Sequence, residues 1–244
     1  MRFVAVGELL VDVVADGSGH DARIRLSPAG SAFNAAVAAA AAGADATVVG
    51  TVGDDAGGRM ILAELAARGV AAEVGVADGA TGTFLLADGE IRVDRGVAHD
   101  VVVPDRLVAD AVLVSGYLPQ ATIATALDRA HAQWIALDAA RLSALPDGGN
   151  AVLVNEDWLA GRDPEQTALE LAEPRRLACV TLGARGAIAV IGDRVERVEP
   201  DRTVTDAPGA GDAFAGALLV ALGRGEDLAD ALSAATRAAL DSLA

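Results

Sequence analysis

The most constraining feature of this sequence is a regular alternation of short β-type runs with Ala-rich helical segments. This pattern is typical of a largely parallel sheet covered by helices. It predicts strands near residues 3–6, 9–14, 46–52, 72–76, 111–115, 134–138, 151–154 and 177–182. It predicts helices near residues 32–42, 56–68, 120–132, 164–172, 212–222 and 227–240. An α/β domain of this kind binds its ligands at the carboxyl ends of its strands.

Two regions interrupt the alternation, near residues 20–28 and 81–103. Both contain short alternating or Gly-punctuated segments that suit a small antiparallel sheet. We expect them to form one flap, or lid, over the C-terminal edge of the main sheet, where open α/β proteins bind ligands. No Pro/Ser-rich linker and no shift in composition divides the chain, so residues 1–244 are predicted to form a single domain.

Charge and composition exclude several classes of partner and mechanism. The 244 residues carry a formal net charge of −16, which matches neither a nucleic-acid backbone nor an anionic membrane. All 19 basic residues are Arg, so mechanisms that need a lysine ammonium, such as those of P-loop enzymes and Schiff-base enzymes, are excluded. Nucleic acid and membrane are therefore not expected as partners.

Cysteine content and apolar stretches bear on the cellular compartment. Cys179 is the single cysteine, so no internal disulfide can form and a reducing cytoplasmic setting is favoured. The apolar residues at the start of the chain are interrupted by Gly7 and Glu8 before a signal-peptide core is complete. The apolar stretch 35–42 is far shorter than the ~20 residues that cross a bilayer. We therefore predict a cytoplasmic protein.

The richest segment for chemistry spans residues 206–216, which read DAPGAGDAFAG. It follows a strand-like run and precedes a helix, and its glycines allow a ligand to approach the backbone closely. Free amides at the start of that helix, together with the positive end of its dipole, attract an anion such as phosphate. Asp212 would lie beside this phosphate and accept a proton from an attacking hydroxyl. The alternative is that Asp212 simply caps the helix, a common role for Asp.

The segment 206–216 resembles the C-terminal signature of the ribokinase-like carbohydrate kinases, and residues 29–36 (AGSAFNAA) resemble the N-terminal signature of the same family. Weaker similarity extends from about Gly7 to about Leu222 and leans toward fructokinases and 2-keto-3-deoxygluconate kinases rather than ribokinases. The resemblance implies a three-layer αβα fold with a mostly parallel central sheet and a β lid. It also implies a kinase that transfers the ATP γ-phosphate to a hydroxyl of a sugar or sugar acid, with Mg²⁺ as a further cofactor.

Family roles can be placed on matching residues of this sequence. By resemblance Asp212 is the catalytic base, the amides of Ala210, Gly211 and Asp212 match the anion hole, and Gly209 belongs to the same catalytic turn. The residues that match sugar-binding positions are Asp12, Gly30, Ser31 and Asn34. Those that match nucleotide-binding positions are Asn155, Thr181, Gly183 and Gly186, although residues 181–183 can equally be the end of a strand before a hairpin. Gly30 can equally be a helix-boundary glycine, and Asn34 a residue that hydrogen-bonds locally in the first turn. Asp12 is harder to explain without a ligand, because burying an unpaired carboxylate is costly.

The chain departs from the family pattern in the region that organises magnesium. The family commonly has Asn-x-x-Glu, whereas this chain has Trp158 where that Glu is expected. Glu156 or Asp157 is the candidate metal ligand in place of that Glu, and Asp206 is a candidate because some members hold a monovalent cation near the matching residue. Arg185 is a candidate to meet phosphate charge or a solvated turn residue. Some members dimerise through their flaps, so a homodimer is one partner to test. The alternatives are a catalytically weak sugar- or nucleotide-binding protein and, less well supported, a dinucleotide-binding enzyme, which would need Gly-x-Gly-x-x-Gly after its first strand.

Overall fold

The secondary structure follows the predicted alternation closely. The computed structural model describes residues 1–17, 19–139, 141–201 and 208–242. In chain order its strands are β1 Arg2–Val6, β2 Leu10–Asp16, β3 Arg23–Ala29, β4 Asp45–Gly53, β5 Ala71–Ala77, β6 Gly82–Ala87, β7 Glu90–Asp94, β8 Leu107–Val108, β9 Ala111–Ser115, β10 Ala130–His131, β11 Trp134–Asp138, β12 Ala151–Asn155, β13 Leu177–Thr181, β14 Ala187–Ile191 and β15 Arg194–Val198. The helices are α1 Ser31–Ala41, α2 Ala56–Ala67, α3 Gln120–Arg129, α4 Glu156–Leu159, α5 Pro164–Ala172, α6 Ala210–Gly223 and α7 Leu228–Asp241.

Nine of these strands form the main sheet, in the order β15-β14-β13-β12-β11-β9-β1-β4-β5. Neighbouring strands from β5 to β13 run parallel, and the hairpin β14–β15 adds two antiparallel strands at one edge. Parallel strands direct their carboxyl ends to one side of the sheet, so the segments that follow β1, β9, β11 and β12 meet there.

Helices cover both faces of the main sheet, which explains why its strands read as continuous apolar runs. Alternate residues of β1 enter two different cores: Phe3 and Ala5 pack with α1, α2, α6 and α7, whereas Val4 and Val6 pack with α3 and α5. The result is the predicted three-layer αβα architecture. Within the described residues no helix is long and apolar enough to cross a membrane.

The two interrupting regions contribute strands to a separate four-stranded sheet with the order β3-β2-β6-β7. After β7, residues 95–103 form turns and extended chain and add no further strand to this small sheet. One strand of the small sheet comes from an unexpected place: β2, which follows β1 after only three residues, leaves the main sheet and pairs with β3 and β6. The small sheet thus begins at the carboxyl end of β1.

Two local predictions were wrong. The helix predicted over residues 120–132 ends at Arg129, because Ala130 and His131 pair in parallel with Leu107 and Val108. The short helix α4, which begins directly after β12, was not predicted. Its four residues are too few to show a helical repeat in the sequence.

Candidate active site

The glycine turn leads directly into α6, as the sequence predicts. Gly209 has φ 90° and ψ −15°, a left-handed conformation that favours glycine. The first described hydrogen bond of the helical pattern runs from Ala213 N to Gly209 O at 3.0 Å. The amides of Ala210, Gly211 and Asp212 precede it and, as the first amides of the helix, have no partner within α6. Asp206, Ala207 and the predicted strand-like run at 202–205 lie outside the described residues.

Asp212 is bonded to α1, the helix that carries the first family signature. The side-chain amide Nδ2 of Asn34 donates to Asp212 Oδ2 at 3.0 Å. The two helices approach closely because one turn farther along α6 the chain has Gly216, where a Cβ would overlap the backbone of Ala35. Ala and Gly at this crossing let the backbones touch, and this contact brings residues 178 positions apart within hydrogen-bond distance.

The electrostatic environment of Asp212 is unusual for a residue in a first helical turn. Burial raises its pKa to about 7, and the carboxylates of Asp138, Glu8 and Asp12 add to the increase. The hydrogen bond from Asn34 acts in the opposite direction. The helix N-terminus by itself would favour the carboxylate, so burial and neighbouring acids dominate here. A carboxyl group with this pKa can exchange a proton near neutral pH.

A cavity of about 330 Å³ lies beside Asp212. Its wall includes the residues of the glycine turn, Gly209, Ala210 and Gly211. It also includes all four residues predicted to hold the nucleotide: Asn155, Thr181, Gly183 and Gly186. The structure thus brings together, around one space, two groups of residues that are far apart in the sequence.

The predicted nucleotide residues differ in how their local structure is explained. Asn155 Oδ1 accepts from Trp158 N at 3.1 Å and caps α4. Gly186 has φ 87°, and a Cβ there would overlap the carbonyl of Val198, so packing alone requires glycine. At Gly183, with φ 55°, the position of a Cβ is open. Its backbone is therefore accessible from the cavity.

None of the predicted sugar-binding residues lines this cavity. Gly30 precedes α1 with φ 109°, where a Cβ would overlap the carbonyl of Glu8, so its glycine has a packing reason. Ser31 Oγ donates to Ser115 Oγ at 2.6 Å in a buried contact. Asp12 lies on β2, half-buried, and burial raises its pKa to about 6. Within the described residues, Asn34 is the one member of this group that is hydrogen-bonded to Asp212.

The rim of the cavity carries carboxylates that suit a magnesium ion. Glu156 and Asp157 both line it, and Arg185 Nη2 donates to Glu156 Oε1 at 2.7 Å. Among the described residues no group of three or more His, Cys, Asp or Glu side chains is arranged to hold a metal. Magnesium in phosphoryl-transfer sites usually takes one or two carboxylates, with phosphates and waters as the other ligands. The donor set therefore fits Mg²⁺ bound together with a nucleotide, and Asp206, the other candidate ligand, is outside the described residues.

Trp158, which replaces the family's Glu, has a packing role. Its indole Nε1 donates to Leu142 O at 2.7 Å, and the Arg162 guanidinium lies 4.7 Å from its ring centroid. The side chain thus ties α4 to the loop that follows β11.

Three polar residues of the cavity wall, Tyr117, Asp138 and Thr236, were missed by the sequence analysis. Asp138 ends β11, and Tyr117 follows β9 by two residues. Their position after predicted buried strands was a usable signal. Thr236, on α7, also lines the cavity, and its buried Oγ1 has no hydrogen-bond partner among the described residues. No pattern in the sequence distinguishes it.

Solved structures first define the class of fold. An adenosine kinase from Sinorhizobium meliloti superposes with a TM-score of 0.84 at 24% identity, covering 98% of this chain and 92% of that one. A ribokinase from Thermotoga maritima superposes with a TM-score of 0.79 at 20% identity, covering 97% and 91%. The chain therefore has the ribokinase-like α/β fold.

The sequence comparisons then identify the family. The model of the pfkB family carbohydrate kinases matches residues 2–240. A ribokinase of Bacillus subtilis (strain 168) is 33% identical over 235 residues, covering 87% of this chain and 80% of its own. A fructokinase of Solanum tuberosum is 28% identical over 259 residues, covering 88% and 79%. The chain belongs to the pfkB family and is a carbohydrate kinase.

Proposed function

We propose that this kinase transfers the γ-phosphoryl group of ATP to a hydroxyl of a sugar or sugar acid, with Asp212 as the base. One observation carries the proposal: Asp212 combines a pKa of about 7 with a position on the cavity wall, next to the free amides of a helix N-terminus. A carboxyl group that merely capped its own helix would not need this environment.

The proposed step conserves atoms and charge. The acceptor hydroxyl gives its proton to the Asp212 carboxylate while its oxygen attacks the γ-phosphorus. The new O–P bond forms as the bond from the γ-phosphorus to the bridging oxygen breaks, and ADP leaves with that electron pair. A raised pKa makes Asp212 a stronger base than an ordinary Asp, and a pKa of about 7 still leaves an ionised population near neutral pH.

In this proposal, backbone amides provide most of the stabilisation of the negative charge on the transferred phosphoryl group. The amides of Ala210, Gly211 and Asp212 form the anion hole, and the left-handed Gly209 turns the chain into it. The sequence contains no lysine. Arg185, held at the rim by Glu156, supplies a side-chain cation.

The nucleotide is proposed to occupy the part of the cavity that Asn155, Thr181, Gly183 and Gly186 line, which leaves the part beside Asp212 and Tyr117 to the acceptor. Solved ribokinases with this fold support the assignment: one from Cryptococcus neoformans is in complex with ADP, and one from Arabidopsis thaliana with ribose and ATP. Bound Mg²⁺, held by Glu156, would neutralise phosphate charge.

The acceptor sugar is proposed to lie between Asp212 and the small sheet, in reach of Asp12 and Asn34. Support comes from Asp12, which is near enough to Asp212 for its charge to contribute to the raised pKa of Asp212. Gly30 and Ser31 shape the start of α1 there. The preference for fructokinase-type acceptors over ribose stays a prediction, because a ribokinase and a fructokinase are both among the relatives.

A homodimer formed through the small sheet is proposed as well. Ile24 and Leu26 on β3 are 63% and 57% exposed, which is unusual for large apolar side chains. Sedimentation equilibrium of the wild type and of Leu26→Glu tests this: a dimer that becomes a monomer in the variant is expected, and a monomeric wild type contradicts it.

The activity is tested by ADP release from Mg-ATP with a panel of pentoses, hexoses, ketodeoxy sugar acids and nucleosides. Release above the rate without acceptor is expected for at least one compound, with a phosphorylated product detected by mass spectrometry. If no compound is phosphorylated while nucleotide and sugar both bind, the chain is the catalytically weak binding protein instead.

A further inference from the structure

The feature that the proposed mechanism leaves unexplained is a buried carboxylate at the junction of the two sheets. Glu8 lies two residues after β1 and is only 3% exposed. Its Oε1 is paired with Arg95 Nη1 and lies 3.0 Å from His99 Nε2. Burying a carboxylate is costly unless it is paired, and the two partners of this oxygen compensate for that cost.

The partners of Glu8 come from the segment that leaves the small sheet after β7. Backbone bonds fix this segment: Val97 N donates to Ala80 O at 3.0 Å, and Ala98 N donates to Arg95 O at 2.8 Å. Thr51 Oγ1, on β4 of the main sheet, donates to Asp100 O at 2.9 Å. These hydrogen bonds, to Ala80 and to Thr51, fix the segment that carries Arg95 between the two sheets.

Arg95 connects Glu8 to the cavity through Tyr117. The Arg95 guanidinium lies 5.8 Å from the centroid of the Tyr117 ring, within the range of a cation–π contact. Arg141 lies 5.9 Å from the same centroid. Tyr117 itself is half-buried and shares the cavity wall with Asp138 and Asp212.

We propose that Glu8 is a positioning residue for the acceptor: it holds Arg95 against Tyr117, and the Tyr117 ring is the wall that selects the sugar. This inference rests on the proposed function. An aromatic ring presents a flat apolar surface with a polar tip, which suits the C–H face and the hydroxyls of a sugar. Because Arg95 also belongs to the segment leaving the small sheet, Glu8 fixes that sheet and the ring relative to Asp212 together.

Tyr117 is the only tyrosine in the chain, which gives it a spectroscopic signature of its own. Protein labelled with 3-fluorotyrosine contains one fluorine resonance, and that resonance reports the surroundings of Tyr117 without turnover. Glu8→Gln removes the charge that holds Arg95 and is expected to shift this resonance in the ligand-free protein. Glu64→Gln is the matched control, because it makes the same chemical change in the exposed Glu64–Arg68 pair on α2. An unchanged resonance in Glu8→Gln overturns the inference.

The kinetic test separates positioning from a general structural role. Glu8→Gln and Tyr117→Ala are each expected to raise KM for the acceptor about tenfold while KM for ATP changes less than about twofold. Tyr117→Phe keeps the ring and is expected to retain most of the wild-type value. A parallel rise in both KM values contradicts the proposal. If Glu8→Gln does not fold, Arg95→Gln tests the same contact from its partly exposed partner and must meet the same criteria.

The fluorine signal also separates this inference from the proposed function. Each sugar of the panel is titrated into labelled wild-type protein, whether or not it is phosphorylated. A sugar that is phosphorylated but leaves the resonance unmoved overturns the role of Tyr117 and leaves the kinase activity standing. A sugar that moves the resonance supports the role of Tyr117 whether or not it is phosphorylated, and the proposed activity fails only if no compound of the panel is phosphorylated. If no sugar moves the resonance, the inference fails.

Discussion

The side-chain amide of Asn34 and the carboxylate of Asp212 are joined by a hydrogen bond of 3.0 Å between the first turns of α1 and α6. Each residue belongs to a different family signature, so the bond links the two signatures at the reacting centre. It orients the proposed base and favours its ionised form, against the effect of burial. Asn34 therefore tunes Asp212 in addition to any contact with the sugar.

The pH dependence of kcat/KM should reveal this tuning. A base must be ionised, so activity is expected to rise with pH through an apparent pKa near 7, the value that burial gives Asp212. Asp138→Asn removes a charge that raises this pKa, so its profile should move to lower pH. Asn34→Ala removes a bond that lowers it, so its profile should move to higher pH. Steady-state kinetics across the neutral range measure both shifts, and shifts in the same direction would be inconsistent with this account.

Replacing the base should remove turnover and spare nucleotide binding. Asp212→Asn is expected to lower kcat by about 10²–10⁴, the usual contribution of a positioned acid or base. Asp230→Asn is a matched control, since Asp230 is also the third residue of its helix but is exposed and away from the cavity. ATP binding, measured by calorimetry, should be similar in both variants. Full activity in Asp212→Asn would refute the assigned role.

The same substitution should make the protein more stable above neutral pH. In the folded chain Asp212 has a pKa of about 7, against 3.8 for an ordinary Asp side chain. Between these values the folded state binds more protons, so the contribution of Asp212 to stability falls as pH rises and is lowest above about 7. Asp212→Asn should therefore raise the melting temperature more in mildly alkaline than in mildly acidic buffer. Thermal scans of the wild type and of Asp212→Asn in both buffers measure this difference, and an equal change in melting temperature in the two buffers would contradict it.

Two glycines of the turn should respond differently to alanine. Gly209 is left-handed, and a Cβ there would meet the Asn34 amide, so Gly209→Ala should lower the free energy of unfolding by about 1–3 kcal/mol. At Gly211 nothing lies within 4 Å of the position that a Cβ would take and φ is not positive, so Gly211→Ala should fold normally. It should nevertheless lower kcat, because the methyl group would face the proposed phosphate. Denaturant unfolding together with kinetics distinguishes the two; wild-type kcat in Gly211→Ala would argue against the anion hole.

The sequence predicted the layers of this fold well because its strands are buried on both faces. Continuous apolar runs such as the one in β1, separated by Ala-rich helices, leave few other architectures. The helix around Asp212 was predictable for a similar reason, since Gly209 and the apolar repeat after it indicate a turn and a helix. The assignment of β2 to the small sheet was not predictable, because its alternation fits either sheet and only its partners decide between them.

The sequence by itself determined the αβα architecture, the glycine turn before α6 and the residue types available for phosphoryl transfer, because these depend on local periodicity and on composition. Only the tertiary structure decided the surroundings of Asp212: the contact with Asn34, the neighbouring Asp138 and the pairing of Glu8 with Arg95. These relations join residues far apart in the chain, and they exist only where α1 and α6 cross and where the two sheets meet. Burial and the charges gathered there set the pKa of the proposed base, and neither can be read from the order of residues alone.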